Sequence, residues 1–219
     1  MLRLFCILLF LMPTPASAVI ISGQMTGGNA FTRGGSFVEI LSLDGLTITA
    51  DGFDDFNLRA FNERQNVVAD SIIETDIGRD VAAGEMVASH YVFFDPVSVA
   101  QAVGTIYFDA PIIGVMTRTR AVYGSSDYRH TDVTYSHSGA WGLESSDHVT
   151  LYSDEPNRLD VAFWASRPGD FIRVFTEFSQ GAVDLGISEY STPVPSSGVL
   201  ILAGFLGWGF AQRARAARR

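Results

Sequence analysis

The chain has 219 residues, 47% of them hydrophobic and 18% charged, with 24 acidic against 15 basic side chains and a formal net charge of −9 at pH 7. That acidic balance makes nucleic acid and anionic lipid surfaces poor partners for the folded region, and it tolerates cations and neutral glycans. The single cysteine, Cys6, excludes an internal disulfide and a cysteine-built metal site.

Met1-Leu2-Arg3 reads as a positive leader end, Leu4 to Met12 as its apolar stretch, and Ala16-Ser17-Ala18 as the small-residue cleavage site of a secretory signal. Cleavage after Ala18 removes Cys6, so the mature chain is predicted to be exported and free of cysteine. The cargo from Val19 to Tyr190 is about 170 residues, enough for one domain with its own core.

Within that cargo, Phe37 to Leu43 and Leu46 to Thr49 flank Asp44-Gly45, which predicts a hairpin. A helical turn is expected near Asp55 to Asn62, and weak strands around Asn66 to Ala69 and Ser71 to Glu74. Stronger strands are predicted at Met86 to Phe94, Thr105 to Phe108, Ile112 to Arg118, Val149 to Tyr152, Leu159 to Trp164 and Phe171 to Phe178. Asp95-Pro96 and Asp109-Ala110-Pro111 separate them, because proline cannot continue a ladder. Phe171, Val174 and Phe178 do not alternate, which predicts a bulge or burial on both faces. Trp164, Phe171 and Phe175 are assigned to the core. About eight to ten such strands give an all-β fold, a β-sandwich of jelly-roll type.

The C-terminal end is built differently. Pro193-Val194-Pro195-Ser196-Ser197 stops any helix arriving from upstream. Val199, Leu200, Ile201, Leu202, Phe205, Leu206, Trp208 and Phe210 then form a run apolar on all sides, which suits lipid. About 14–17 residues at about 1.5 Å each span some 21–25 Å, short of a hydrocarbon core of about 30 Å. Trp208 at the run's end, followed by Arg213, Arg215, Arg218 and Arg219, has the pattern of an interfacial anchor and a cytoplasmic basic stop. A single transmembrane helix is therefore predicted here.

This proline motif, short helix containing Ala203-Gly204-Phe205-Leu206-Gly207 and arginine-rich end resemble the PEP-CTERM sorting signal of exported Gram-negative proteins. Val194 stands where the name-giving motif has glutamate. The resemblance implies an exosortase-type enzyme as partner, inner-membrane anchoring with the domain on the periplasmic side, then delivery to the cell surface or medium of a polysaccharide-making host. Ser89 to Pro96, Gly104 to Val115 and Ser166 to Val174 resemble a recurrent cargo pattern of such sorting-signal proteins, which implies no activity.

Four constellations bear on chemistry. His130 and His137, with His148 further on, lie among carboxylates but lack a ligand spacing such as H-x-x-x-H, so no metal site is assigned to them. Asp51, Asp54 and Asp55, with Asp76 and Asp80, offer oxygen ligands for a structural calcium without the spacing of a calcium loop. Ser125, Ser126, Ser145 and Ser146 have no G-x-S-x-G context, and Glu144 with Glu177 is a glycosidase pair only if the fold brings them together. No catalytic residue is assigned and the chain is not expected to be an enzyme. Trp141, Tyr128 and Tyr135, in a polar segment, are the candidate contacts to an extracellular polysaccharide. The expected function is structural or adhesive in the cell envelope or matrix, with a glycan-binding module second and a secreted hydrolase third.

Overall fold

The computed structural model describes residues 19–49, 52–136 and 142–184, together with 187 and 189. The signal segment with Ala16 and Ala18, the sorting tail from Pro193 to Arg219, and Asp51, His137 and Trp141 lie outside them. The described residues belong to one unit that closes at Glu189. No helix among them is long and apolar enough to cross a membrane.

The chain is mostly β. In order, its strands are β1 (Ile20–Gly27), β2 (Phe37–Glu39), β3 (Thr47–Ile48), β4 (Leu58–Asn62), β5 (Val67–Val68), β6 (Ile77–Gly78), β7 (Met86–Phe94), β8 (Ala100–Phe108), β9 (Ile112–Met116), β10 (Thr134–Tyr135), β11 (His148–Leu151), β12 (Arg158–Ala165) and β13 (Asp170–Thr176). Short helices α1 (Gly28–Thr32), α2 (Thr119–Gly124) and α3 (Gln180–Asp184) interrupt them, with a 3-10 turn at Ser126–Tyr128.

One sheet has the order β1-β8-β12-β11 and is antiparallel throughout. The larger sheet runs β2-β4-β7-β13-β9-β6, with β5 also on β7. Its central strands are apolar without alternation because both of their faces are covered. On one face Val92 and Phe94 of β7 and Ile172 and Val174 of β13 meet Ile106, Phe108, Val161 and Phe163 of the smaller sheet in a shared core. On the other face Tyr91, Phe93, Phe171 and Phe175 are roofed by Ile48 of β3, Val122 of α2, Val133 and the half-buried Leu43, Leu46 and Tyr135. Each fully buried phenylalanine or leucine contributes about 1.5–3 kcal/mol through the water it sheds.

That second core explains why the predicted hairpin does not form as a ladder. The turn itself is present: Leu46 N–H donates to Leu43 O at 3.0 Å and Gly45 takes φ 70°. Its flanks part, however, with β2 pairing in parallel with β4 and β3 in parallel with β10. Peeled away in this fashion, the segment covers apolar surface of the larger sheet instead of pairing with itself.

Three further expectations change. Asp55 to Asn62 is not a helical turn, because Leu58–Asn62 pairs with β7 and buries Leu58, Ala60 and Phe61. Trp164 is not core: Leu159, Val161, Phe163 and Ala165 take the inner positions of β12, so the indole stands outward, 48% exposed. β1 and α1, which carry few consecutive apolar residues, were not among the predicted elements. For β13 both predicted outcomes occur, since all seven residues are buried and its register with β9 shifts between Phe175 and Thr176.

Candidate functional site

Among the described residues, one group of three acidic side chains brings a carboxylate oxygen from each within 4.8 Å of the others: Glu144, Asp147 and Asp170. Glu144 and Asp147 bracket a tight turn ahead of β11. Asp147 N–H donates to Glu144 O at 3.1 Å, and Glu144 N–H donates to Asp147 Oδ2 at 2.6 Å. Asp147 Oδ1 also accepts Trp164 N–H of β12 at 2.6 Å, which ties the turn to the smaller sheet. Asp170 opens β13 opposite Phe94 and comes from the larger sheet. The group therefore spans the two sheets at one end of their shared core.

Its members differ in exposure. Glu144 faces solvent, Asp147 is 8% exposed and Asp170 is 1% exposed, with no hydrogen-bond partner for Asp170 Oδ2 among the described residues. Burial, reinforced by the charges of Asp147 and Glu144, pushes the Asp170 pKa up to about 9. Burial and then the Asp147 carboxyl raise Glu144 as well. Three like charges at this spacing repel one another, so the group holds either a shared proton or a cation.

The described carboxylates among the calcium candidates, Asp54, Asp55, Asp76 and Asp80, are placed elsewhere and face protein donors. Asp55 accepts both Nη groups of Arg59 and Asn57 N–H at 2.9 Å; burial alone would raise its pKa, and these partners hold it lowered. Asp76 accepts Thr117 N–H at 2.7 Å, Arg118 N–H at 2.9 Å and Arg118 Nε. Asp54 meets Arg167 at 2.7 Å and Asp80 accepts Thr75 N–H at 2.9 Å. Hence the structure does not assemble these aspartates into one site.

Neither an enzyme family nor any other identity comes from comparison. No protein-family model, curated protein or solved structure matches the chain. Glu144 adjoins the first residue of β13 and Glu177 follows its last, about 20 Å along the strand, too far for a glycosidase pair at about 5–9.5 Å. Ser125 Oγ donates to Ala121 O at 2.9 Å and Val122 O at 3.0 Å and accepts from Arg173, so it caps α2. His130 Nδ1 accepts Asp132 N–H at 3.2 Å.

Of the aromatic candidates, the two described ones, Tyr135 and Tyr128, pack against other rings. Tyr135 donates to Glu63 Oε1 at 2.6 Å, with its ring against Tyr91 and Phe61; burial first, and then the Glu63 charge, raises its pKa. Tyr128 stands edge-on to Phe175 with centroids 5.3 Å apart. Trp164 is instead an exposed aromatic, and its backbone N–H bonds Asp147. Glu144 and His148 stand out in the sequence, but Asp170 lies 23 positions beyond Asp147 and no spacing rule links them. The one local signal was an aspartate opening an otherwise apolar strand.

Proposed function

We propose that this chain is an exported protein of the cell envelope or extracellular matrix, structural or adhesive in role and without catalytic activity. The observation that carries the reading is the order of its terminal segments: a secretory leader ending at Ala18, then the Pro193–Ser197 motif, an apolar run and four arginines. In this reading an exosortase-type enzyme receives the tail from the inner membrane, and the β domain is the cargo. The domain is a β-sandwich of jelly-roll kind, a view supported by the chain's passage between the two sheets from β7 to β8 to β9 and from β12 to β13.

Mass spectrometry of both termini in cytosolic, membrane and extracellular fractions tests this. The expected product begins at Val19, and its extracellular form ends at or before the proline motif. Intact Met1 and Arg219 on one cytosolic molecule would falsify the scheme. A second reading, a glycan-binding module, draws on the exposed Trp164; co-fractionation with extracellular polysaccharide, lost in Trp164→Ala, distinguishes it.

A further inference from the structure

We propose that Glu144, Asp147 and Asp170 bind one Ca²⁺, which ties the turn before β11 to the start of β13. Three observations converge on it. The donor set is carboxylate oxygen alone, the chemistry that hard divalent cations take and that Zn²⁺ or Cu²⁺ sites rarely use without nitrogen or sulfur. Oxygens within 4.8 Å of one another fit around a single ion with bonds of about 2.4 Å, longer than the bonds of about 2.0–2.1 Å that Mg²⁺ demands. Asp170 is 1% exposed, and among the described residues its Oδ2 has no hydrogen-bond donor although the side chain is closed in from water. A buried carboxylate oxygen without a donor costs free energy that a bound cation removes.

The surroundings add to this. The charges that act on Asp170 are those of Asp147 and Glu144, all of one sign. Asp147 is pre-oriented, since Trp164 N–H and Glu144 N–H each hold one of its oxygens in place. Glu144, on the solvent side, leaves an entry path and room for water to complete a shell of about six to eight oxygens. Because two ligands belong to the smaller sheet's edge and one to the larger sheet, the ion acts as a staple between layers in a chain with one cysteine. Cation binding here is independent of where the domain is delivered.

The test uses the purified full chain, stripped with a chelator and titrated with CaCl₂ by calorimetry and by thermal melting. Expected are one Ca²⁺ per chain and a rise in melting temperature of about 5–10 °C at a Ca²⁺ concentration about a hundredfold above the dissociation constant. Glu144→Gln, at an exposed position, should keep the fold and weaken binding at least about tenfold. Asp170→Asn should abolish binding and raise the melting temperature of the stripped protein, because it removes the cost of burying an ionisable carboxyl beside two others. Should Asp170→Asn fail to fold, Glu144→Gln decides the matter by itself. The proposal is overturned if Ca²⁺ produces neither heat nor a melting shift, if Mg²⁺ acts equally, or if Glu144→Gln binds Ca²⁺ as tightly as the parent; the three carboxyls then share a proton only.

Discussion

Glu63 and Arg173 have no exposed side-chain surface and satisfy each other, with Arg173 Nε at 2.5 Å from Oε2 and Nη2 at 2.7 Å from Oε1. The remaining Arg173 nitrogen donates to Val122 O at 2.8 Å and Ser125 O at 3.1 Å, so this guanidinium pins the end of α2 to the larger sheet. Glu63→Gln leaves a buried cation uncompensated and should cost about 3–5 kcal/mol, read as a lower urea midpoint at unchanged slope. His90 offers a second residue-level test. It sits between Asn62 Oδ1 at 3.0 Å and Thr176 Oγ1 at 3.1 Å, against the Phe108 ring, and burial pushes its pKa down to about 3. Below about pH 6.5 the unfolded chain takes up a proton at His90 that the folded one refuses, so the His90 contribution to stability falls as pH drops from 6.5 toward 3, by up to about 1.4 kcal/mol per pH unit. Asp170, whose pKa is raised, acts in the opposite direction over the same window, so the His90 share is read from the difference between the parent and a His90 variant. Unfolding free energies at pH 7 and pH 5 should differ by about 2 kcal/mol more in the parent than in His90→Gln.

At the scale of elements, the junction of β1 and α1 is set by backbone contact. Gly28 takes φ +84°, and a Cβ there would lie 2.1 Å from Gln101 O of β8. Asn29 Oδ1 next to it accepts Gln101 N–H at 2.7 Å, which docks α1 on that strand. Gly28→Ala combines strain with a clash that β8 cannot relieve without breaking its ladder, and should cost about 2–4 kcal/mol in denaturant unfolding. Legibility followed the same physics. Met86 to Phe94 was readable to the residue because a long apolar run buried on both faces needs no partner to identify it. β1 escaped because Ser22, Gly23, Gln24, Thr26 and Gly27 dilute its apolar signal, and its pairing to β8 supplies what its own composition lacks. The Asp44-Gly45 turn was readable, yet its strands chose other partners, since a turn specifies local direction and not which distant sheet needs covering.

For the whole molecule, β7 and β13 lie in both cores, so the smaller sheet and the covering layer depend on the same pair of strands. The leader, the anchor run and the basic stop are properties of consecutive residues, and sequence alone determined them as expectations, along with the all-β character that the structure bears out. What only the tertiary structure decided are the meetings of distant residues: Glu63 with Arg173, 110 positions apart, and Asp170 with Glu144 and Asp147. Periodicity and composition report how each segment meets water, whereas convergence depends on strand order and register, which are settled by burying both faces of the larger sheet at once.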